Sequence, residues 1–183
     1  MNNKNLITTL HDVCVSLSKQ SNKEQLLEKI IYAVQLATHA DGATLYIKNQ
    51  RLLKFHIVKN NSLNMSLTYS SAAIRSLPAI NLDPAAHHIS ISSICANEKR
   101  VVLVQDAERE AGIDLTATKE FDKKFHYTTK SILALPIINK HHRLLGVIQL
   151  INPQDQSNQA CEFTDEMIGF CEAMAALASL ALS

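Results

Sequence analysis

Three serines at the start of a short helical segment are the first residues in this sequence that could bind a ligand. Ser90, Ser92 and Ser93 place hydroxyls beside the backbone N–H groups that a helix start leaves unpaired. Such a helix start can hold a phosphate or a carboxylate. The alternative is that Ser90 caps its own helix and the other hydroxyls take no part in binding. The sequence leaves both interpretations open.

A second polar cluster lies just before a buried strand-like segment. Thr128 and Thr129 begin the run Thr-Thr-Lys-Ser, and Phe125 and Tyr127 come directly before it. An aromatic ring with several hydrogen-bond donors can orient a planar, polar ligand. A strand entry with solvated hydroxyls explains the same residues without a ligand.

Gln149 interrupts an otherwise apolar strand. Simple alternation places it on one face with Leu145, Val147 and Ile151. If that face is buried, the amide must find hydrogen-bond partners. A ligand is one possible partner, and neighbouring backbone is the other.

Cysteine and histidine spacing does not predict a metal site or a thiol enzyme. Cys14, Cys95, Cys161 and Cys171 include no Cys-x-x-Cys pair, which argues against zinc and a disulfide framework and suits reduced thiols in a cytosol. The neighbouring pairs His87-His88 and His141-His142 point apart on a strand, so neither pair predicts a metal site. Cys95 lies inside the short helical segment and is interpreted as a small buried apolar residue.

Composition predicts one soluble cytoplasmic domain. Of the 183 residues, 46% are hydrophobic and 19% are charged, which supports a single packed core. With 18 basic and 17 acidic residues the net charge is +1, too small to argue for nucleic acid or an anionic membrane. No segment approaches the roughly 18 apolar residues of a membrane span, and residues 1–5 lack the features of a secretory signal.

Hydrophobic periodicity changes from helical to strand-like and back along the chain. The first predicted elements are a helix within residues 1–20, a helix that runs from a Ser21–Glu24 capping box to about Ala40 and is ended by Asp41-Gly42, and an antiparallel hairpin of Ala43–Lys48 and Leu52–Lys59. They are followed by a short strand within Leu77–Leu82, a helix at Ile91–Asn97, a strand at Val101–Val104 and a helix near Lys119–His126. The last predicted elements are strands at Ser131–Ile138 and Leu144–Ile151 and a helix capped by Thr164. This order indicates an α+β domain around one antiparallel sheet.

Several of these segments together resemble the GAF family. The stretch Glu98–Ala107 (EKRVVLVQDA) is similar to its turn and strand ending in Asp-Ala, and Lys130–Ile137 (KSILALPI) resembles its Ser-Ile-Leu strand. Leu144–Asn152 (LLGVIQLIN) is similar to its Ile-Gly-Val-Leu-Gln-Leu-Ile-Asn strand. With Phe121-Asp122 and Tyr127 between them, these segments most resemble GAF domains attached to HD-GYP-type and cyclic-nucleotide phosphodiesterases.

The resemblance implies where a ligand would lie. In the expected fold the N- and C-terminal helices cover one side of the sheet, and short helices and loops cover the other, with the ligand between the sheet and those loops. The domain is expected at residues 21–183, preceded by a dimer or linker helix at 1–20. The predicted ligand contacts are Ser90, Ser92, Ser93, Asp106, Phe125, Tyr127, Thr128, Thr129 and Gln149.

Part of the cyclic-nucleotide phosphodiesterase signature is missing. Asn152 and Phe163 match it, but Pro153 replaces its lysine and Asp165-Glu166 follows Phe163 two residues early. The lysine–aspartate pairing implied by that signature cannot form in this chain. The resemblance therefore leaves cyclic-nucleotide binding open.

The functional prediction is a non-catalytic sensory module without a cofactor, which binds a small molecule and signals through its terminal helices. A cyclic nucleotide is one candidate ligand. The alternative is a ligand-free module that forms a homodimer through its terminal helices, favoured by the apolar stripes Leu6–Leu17 and Phe170–Ala181. In either case the chain is expected to be a lone module or the N-terminal part of a longer signalling enzyme, with its catalytic domain further along.

Overall fold

Helices at both ends of the chain enclose an antiparallel sheet, as the periodicity predicts. The structure is a computed structural model that describes residues 3–19, 22–83, 89–155 and 157–183. Its elements are α1 (Asn3–Ser18), α2 (Lys23–Thr38), β1 (Gly42–Asn49), β2 (Leu52–Asn60), β3 (Met65–Thr68), α3 (Ala72–Arg75), β4 (Ile80–Asn81), α4 (Ile91–Glu98), β5 (Val102–Val104), α5 (Thr116–Phe125), β6 (Ile132–Ile138), β7 (Leu144–Ile151) and α6 (Asp165–Leu182). The predicted α+β class is confirmed.

The sheet follows the order β3-β2-β1-β7-β6-β5, and every pairing is antiparallel. The short strand β4 pairs with the first two residues of β2, beside β3 on the outer edge of that strand. The two predicted hairpins, β1–β2 and β6–β7, are confirmed, and β1 pairs directly with β7. The sheet therefore joins the first hairpin to the second through its central strands.

Three long helices, α1, α2 and α6, pack together against one face of the sheet. Leu27, Ile30 and Ile31 of α2 are completely buried there, together with Met174 of α6. Val13 is the buried apolar residue of α1, whose side chains are described from residue 7 onwards. None of the helices in the described part of the chain has the length and apolar content to span a bilayer.

The boundaries of α2 differ from the prediction. Asn22 is the N-cap, and its side chain accepts a hydrogen bond from Glu24 N at 2.9 Å, while Ser21 lies outside the described residues. The helix ends at His39, which adopts a left-handed conformation with φ 49°, and Gly42 is already in β1. Gly42 is needed for a close approach instead, because a Cβ there would lie 2.6 Å from Ile151 Cγ1.

The opposite face of the sheet packs against α4 and the connections around it. Ile91, Cys95 and Ala96 of α4 are buried in a second cluster with Val147 and Ile132 of the sheet. This face is the one on which the sequence predicts a ligand.

Two short elements correct the predicted connections. β3 lies between the predicted hairpin and the predicted strand region Leu77–Leu82, where the sequence predicts no element, although Met65-Ser66-Leu67-Thr68 alternates apolar and polar residues. α5 begins at Thr116, three residues before the predicted start, because the Asp114 carboxylate accepts hydrogen bonds from both Thr116 N and Thr116 Oγ1. β4 lies inside the predicted strand region Leu77–Leu82.

Candidate functional site

The start of α4 uses two of the predicted serines for its own capping. Ser90 Oγ accepts a hydrogen bond from Ser93 N at 3.1 Å, and Ser93 Oγ accepts one from Ser90 N at 2.8 Å. These reciprocal bonds form a capping box. The Ser93 hydroxyl also donates to Ser90 O at 2.8 Å. Both hydroxyls are therefore engaged within the helix start, as the capping interpretation predicts.

Ser92 and Gln149 form a buried side-chain pair between α4 and β7. The Ser92 hydroxyl, which is completely buried, donates to Gln149 Oε1 at 2.6 Å. Tyr46 of β1 lies beside them: its burial raises the pKa of its hydroxyl, and a hydrogen bond with Ser92 acts in the opposite direction. The Tyr46 ring contacts Phe55 at a centroid distance of 4.7 Å. This Ser92–Gln149 pair places an amide and a hydroxyl on the predicted ligand face.

The predicted face of β7 needs one correction. Val147 and Ile151 lie with Gln149 on the α4 side, but Leu145 packs against the cluster under the terminal helices. The register explains the difference, because Ile137 pairs with Gly146 while Ile138 pairs with Leu144. Leu145 is the extra residue of a β-bulge, which reverses the alternation at that point.

Tyr127 connects the segment before β6 to the residue between α2 and β1. Its hydroxyl donates to Asp41 Oδ2 at 2.6 Å. Asp41 is only 3% exposed, and its other carboxylate oxygen accepts from the backbone N–H and the hydroxyl of Ser62 at 3.0 and 2.9 Å. Burial first, and then the Asp41 carboxylate, raise the pKa of Tyr127. The sequence pattern predicts a helix stop at Asp41 and gives no sign of this hydrogen-bonding role.

Asn152 completes the cluster, which we call the Asp41 network (Asp41, Ser62, Tyr127 and Asn152). Its side-chain nitrogen donates to the Tyr127 hydroxyl at 2.9 Å and to Thr128 O at 2.7 Å, and its oxygen accepts from Lys130 N and Ser131 N. Asn152 adopts φ 52°, a conformation that asparagine tolerates better than most residues. Its match to the phosphodiesterase signature therefore coincides with a structural role here.

One buried donor beside this network lacks a partner. Asn60 is 4% exposed, and its side-chain oxygen accepts from Leu63 N at 2.8 Å. It lies close enough to the Tyr127 hydroxyl to lower that group's pKa, yet its side-chain nitrogen makes no hydrogen bond of ordinary geometry with any described residue. An unsatisfied buried donor costs about 1–3 kcal/mol.

The remaining predicted residues near α5 divide between packing and hydrogen bonding. Phe125 contacts Phe121 at a centroid distance of 4.7 Å, and Phe121 meets Tyr127 edge to face. Thr129 is buried, and both its N–H and its hydroxyl donate to the Asp122 carboxylate at 2.8 Å. Thr128 is exposed. Phe125, Tyr127, Thr128 and Thr129 therefore lie together at the entry to β6.

Asp106 is occupied within its own loop. Its Oδ1 accepts from Glu108 N at 3.0 Å and Arg109 N at 3.3 Å, and its Oδ2 lies 3.4 Å from the Arg109 side chain. It lines an open cleft of about 300 Å³ next to Lys130 and Cys161. Among the described residues, the Asp106 side chain makes no hydrogen bond or ion pair with the Ser92–Gln149 pair or with the Asp41 network.

Cys95 has the environment that the sequence interpretation gave it. The side chain is completely buried, and burial raises the pKa of its thiol to about 12. A thiol with that pKa is protonated at neutral pH and is a poor nucleophile.

The described residues contain no group of three or more His, Cys, Asp or Glu side chains placed to hold a metal ion. His141 and His142 lie exposed in the β6–β7 turn, while His87 and His88 fall outside the described ranges.

Comparison with known proteins decides the family. The family model described as GAF domain matches residues 22–182, which is most of the chain. The chain belongs to the GAF domain family. GAF domains are regulatory and sensory modules of signalling proteins, and the resemblance inferred from the sequence is confirmed.

Curated relatives are much longer than this chain. The cGMP-specific 3',5'-cyclic phosphodiesterase of Drosophila mojavensis is 29% identical over 147 residues, covering 76% of this chain but 12% of the phosphodiesterase. The Drosophila melanogaster protein of the same name is 28% identical over 141 residues, with the same two coverages. This GAF chain therefore spans about an eighth of the length of these relatives.

Solved structures share the fold. The GAF domain of an Acinetobacter phosphoenolpyruvate-protein phosphotransferase superposes with a TM-score of 0.68 at 13% identity, covering 100% of this chain and 94% of that one. Free methionine-R-sulfoxide reductase from Neisseria meningitidis, solved with its substrate, gives a TM-score of 0.66 at 10% identity, covering 97% and 87%. At these identities the likeness shows the fold alone.

Proposed function

We propose that this GAF chain is a non-catalytic, cytoplasmic sensor that binds a small molecule on the α4 side of its sheet. Binding there would bias the arrangement of the terminal helices. The hydrogen bond between Tyr127 and Asp41 carries the proposal, because it joins the predicted ligand side to the helical layer.

The connection continues from Asp41 into α2. The backbone oxygen of Asp41 accepts a hydrogen bond from Gln35 Nε2 at 3.3 Å, and the Asp41 N–H donates to Asn152 O at the end of β7. A ligand that moves the Tyr127 segment must therefore act on a residue bonded to α2. It can shift the helices only as far as its affinity differs between the two arrangements.

Polar groups on the α4 side support a planar, polar ligand. Gln149 and Ser92 together provide amide and hydroxyl groups that can exchange their mutual bond for bonds to a ligand. Beside the Asp41 network, the unsatisfied Asn60 side-chain nitrogen gains a partner from any polar group placed there. The named relatives act on cGMP, so cyclic nucleotides are the first compounds to test.

Thermal unfolding with millimolar cGMP, cAMP and a wider metabolite panel tests this proposal. A ligand at about 100 times its dissociation constant stabilises by about 2.7 kcal/mol, which raises the midpoint by roughly 5 to 11 °C for a domain of this size. Gln149→Leu should abolish the shift, and Gln25→Leu on the exposed face of α2 should keep it. An equal shift in Gln149→Leu would place the ligand elsewhere and refute the proposed site.

A second candidate function is homodimerisation through the terminal helices. Six large apolar side chains are exposed among the described residues, and four of them lie on α1, α2 and α6: Ile7, Tyr32, Leu36 and Leu180. A second copy of this chain could cover them, because exposed apolar side chains concentrated on one layer mark an interaction surface.

Light scattering at micromolar concentration tests the dimer. The 20.3 kDa chain should scatter with twice that mass. Ile7→Glu/Leu180→Glu should return it to a monomer, and Ile89→Glu, which changes an exposed isoleucine outside these helices, should leave the dimer intact. Three results together would favour the dimerisation function over the sensor. No compound shifts the thermal midpoint, the variants change the scattering mass as stated, and native mass spectrometry shows the protein without a bound small molecule.

A further inference from the structure

An open cleft lies at the hairpin end of the sheet, away from the groups of the proposed sensor site. It is formed by the β1–β2 turn, the β6–β7 turn and the C-terminal end of α4, and its volume is about 600 Å³. The Ser92–Gln149 pair and the Asp41 network contribute no residue to its lining. We call it the basic cleft.

Positive charge is concentrated around the basic cleft. Lys48, Arg51, Lys99 and Arg143 line it, against Asp83 as the one acidic lining residue among those described. The whole chain has a net charge of only +1, so this concentration is local. Converging charges of one sign in a concave site raise the local concentration of counter-ions.

Existing contacts use only some of these charges. Arg51 lies 3.8 Å from the Asp83 carboxylate, and Lys99 Nζ donates to the backbone oxygen of His142 at 3.1 Å. Within the described ranges, Lys48 and Arg143 take part in no ion pair, and their side chains are exposed. Two cations in the cleft therefore remain available to an anion.

The floor of the cleft is apolar. Leu82 and Leu144 are each 8% exposed, Ala96 is 3% exposed, and Gln50 and Asn97 add amide groups at the rim. An apolar floor with a few polar groups above it is the usual construction of a small-molecule site, and 600 Å³ lies within the usual range for one. A macromolecular partner would bury about 800 Å² on each side and would not need a concave site.

We propose that the basic cleft binds an organic small molecule carrying several phosphate charges, with its planar or apolar body on the leucine floor. Lysine and arginine form charge-assisted hydrogen bonds with phosphate oxygens. The site is separate from the sensor site, so this proposal does not depend on the proposed function.

Isothermal titration with ATP and with sodium tripolyphosphate, both without divalent metal, tests the cleft. We expect saturable binding of one molecule per chain, with ATP bound more tightly than tripolyphosphate because only ATP has a body to cover the floor. Lys48→Gln/Arg143→Gln should weaken ATP binding at least about tenfold, the effect of losing one charged hydrogen bond. Lys119→Gln/Lys123→Gln removes the same charge on α5, outside the lining, and should change affinity less than about twofold, a difference below 0.5 kcal/mol.

Three results would overturn the proposal: no saturable binding, an equal loss in the two double variants, or equal affinity for ATP and tripolyphosphate. Gln149→Leu separates this cleft from the sensor site. It should retain ATP binding, and loss of ATP binding in that variant would move the nucleotide to the Ser92–Gln149 pair. All four substituted cations are exposed, so unchanged thermal midpoints of the double variants show that both still fold.

Discussion

The Tyr127 hydroxyl lies 2.6 Å from Asp41 Oδ2, although 86 residues separate the two in the chain. Asp41 stands where α2 passes into the central strand β1, and Tyr127 stands where α5 passes into β6. One side-chain bond thus links the connection between α2 and β1 to the connection between α5 and β6. Ionised acceptors make such bonds stronger than neutral ones.

Tyr127→Phe should lower the free energy of unfolding by about 1.5 to 3 kcal/mol, because it removes a donor from a buried carboxylate. Tyr32→Phe is the matched control, since Tyr32 is 57% exposed. Urea unfolding measures both. Equal stability of the two variants would show that the Tyr127–Asp41 bond contributes nothing net.

Ser92 and Gln149 should be coupled in a double-mutant cycle, with the double variant losing less stability than the sum of the two single variants. Ser92→Ala leaves Gln149 Oε1 without its 2.6 Å donor and should cost about 1 to 2 kcal/mol. Adding Gln149→Leu removes the stranded acceptor, so the double variant should recover part of that loss. Strict additivity in urea unfolding would mean that the two side chains do not stabilise each other.

Gly146→Ala should destabilise the protein by about 1 to 3 kcal/mol, as overpacking does. A Cβ at Gly146 would overlap the backbone oxygen of Tyr46, which cannot move without disturbing β1. Gly169→Ala is the opposite case. It lies in α6 with no atom within 4 Å of a Cβ, and should stabilise by up to about 1 kcal/mol through helix propensity. Thermal midpoints that move in the same direction would contradict this account.

Stability should fall as the pH rises above about 8.5, the pKa of an unfolded cysteine. Burial raises the pKa of Cys95 and Cys171 to about 12, so the unfolded chain loses these protons first. Because the folded state then binds more protons, the unfolding free energy decreases with pH, by up to about 1.4 kcal/mol per pH unit for each thiol. Tyr46 and Tyr127 should steepen the decline above about pH 10, since their pKa values are also raised.

Urea unfolding between pH 8 and 10 measures that slope. Cys95→Ala should reduce the slope of unfolding free energy against pH by the contribution of one buried thiol. Cys14→Ala, at an exposed position, should leave the slope unchanged. A slope that Cys95→Ala leaves unchanged would rule out the buried thiol as its source.

Thiol labelling of the native protein should distinguish the four cysteines by burial. Cys14 is exposed and Cys161 is partly exposed, while Cys95 and Cys171 are buried. With a chromogenic disulfide at neutral pH, Cys14 should react first and the two buried thiols only at the rate of unfolding. Rapid labelling of Cys95, read by mass spectrometry, would contradict its placement in the core.

Sequence patterns predicted the long elements well because each has a clear period. The α2 and α6 stripes and the two hairpins follow from spacing alone. The bulge at Leu145 was missed because a uniform period of two assigns it to the wrong face. The start of α5 was missed because the side-chain bonds from Thr116 to Asp114 leave no mark in hydrophobicity.

Local patterns identified parts of the candidate site but not its long-range contacts. Ser90 and Ser93 were interpretable because a capping box is local. The Asp41 network brings together residues from the ends of β1, β2 and β7, and only the sheet register makes them neighbours. The Ser92–Gln149 bond likewise spans 57 residues.

The outermost strands of the sheet are its shortest. β5 has three residues on one edge, and β3 and β4 have four and two on the other. Long, flat edge strands are templates on which another chain can add a strand and begin to aggregate. Short edges deny neighbouring molecules that template, so the protein should stay in solution at concentrations where a sheet ending on β1 or β7 would not.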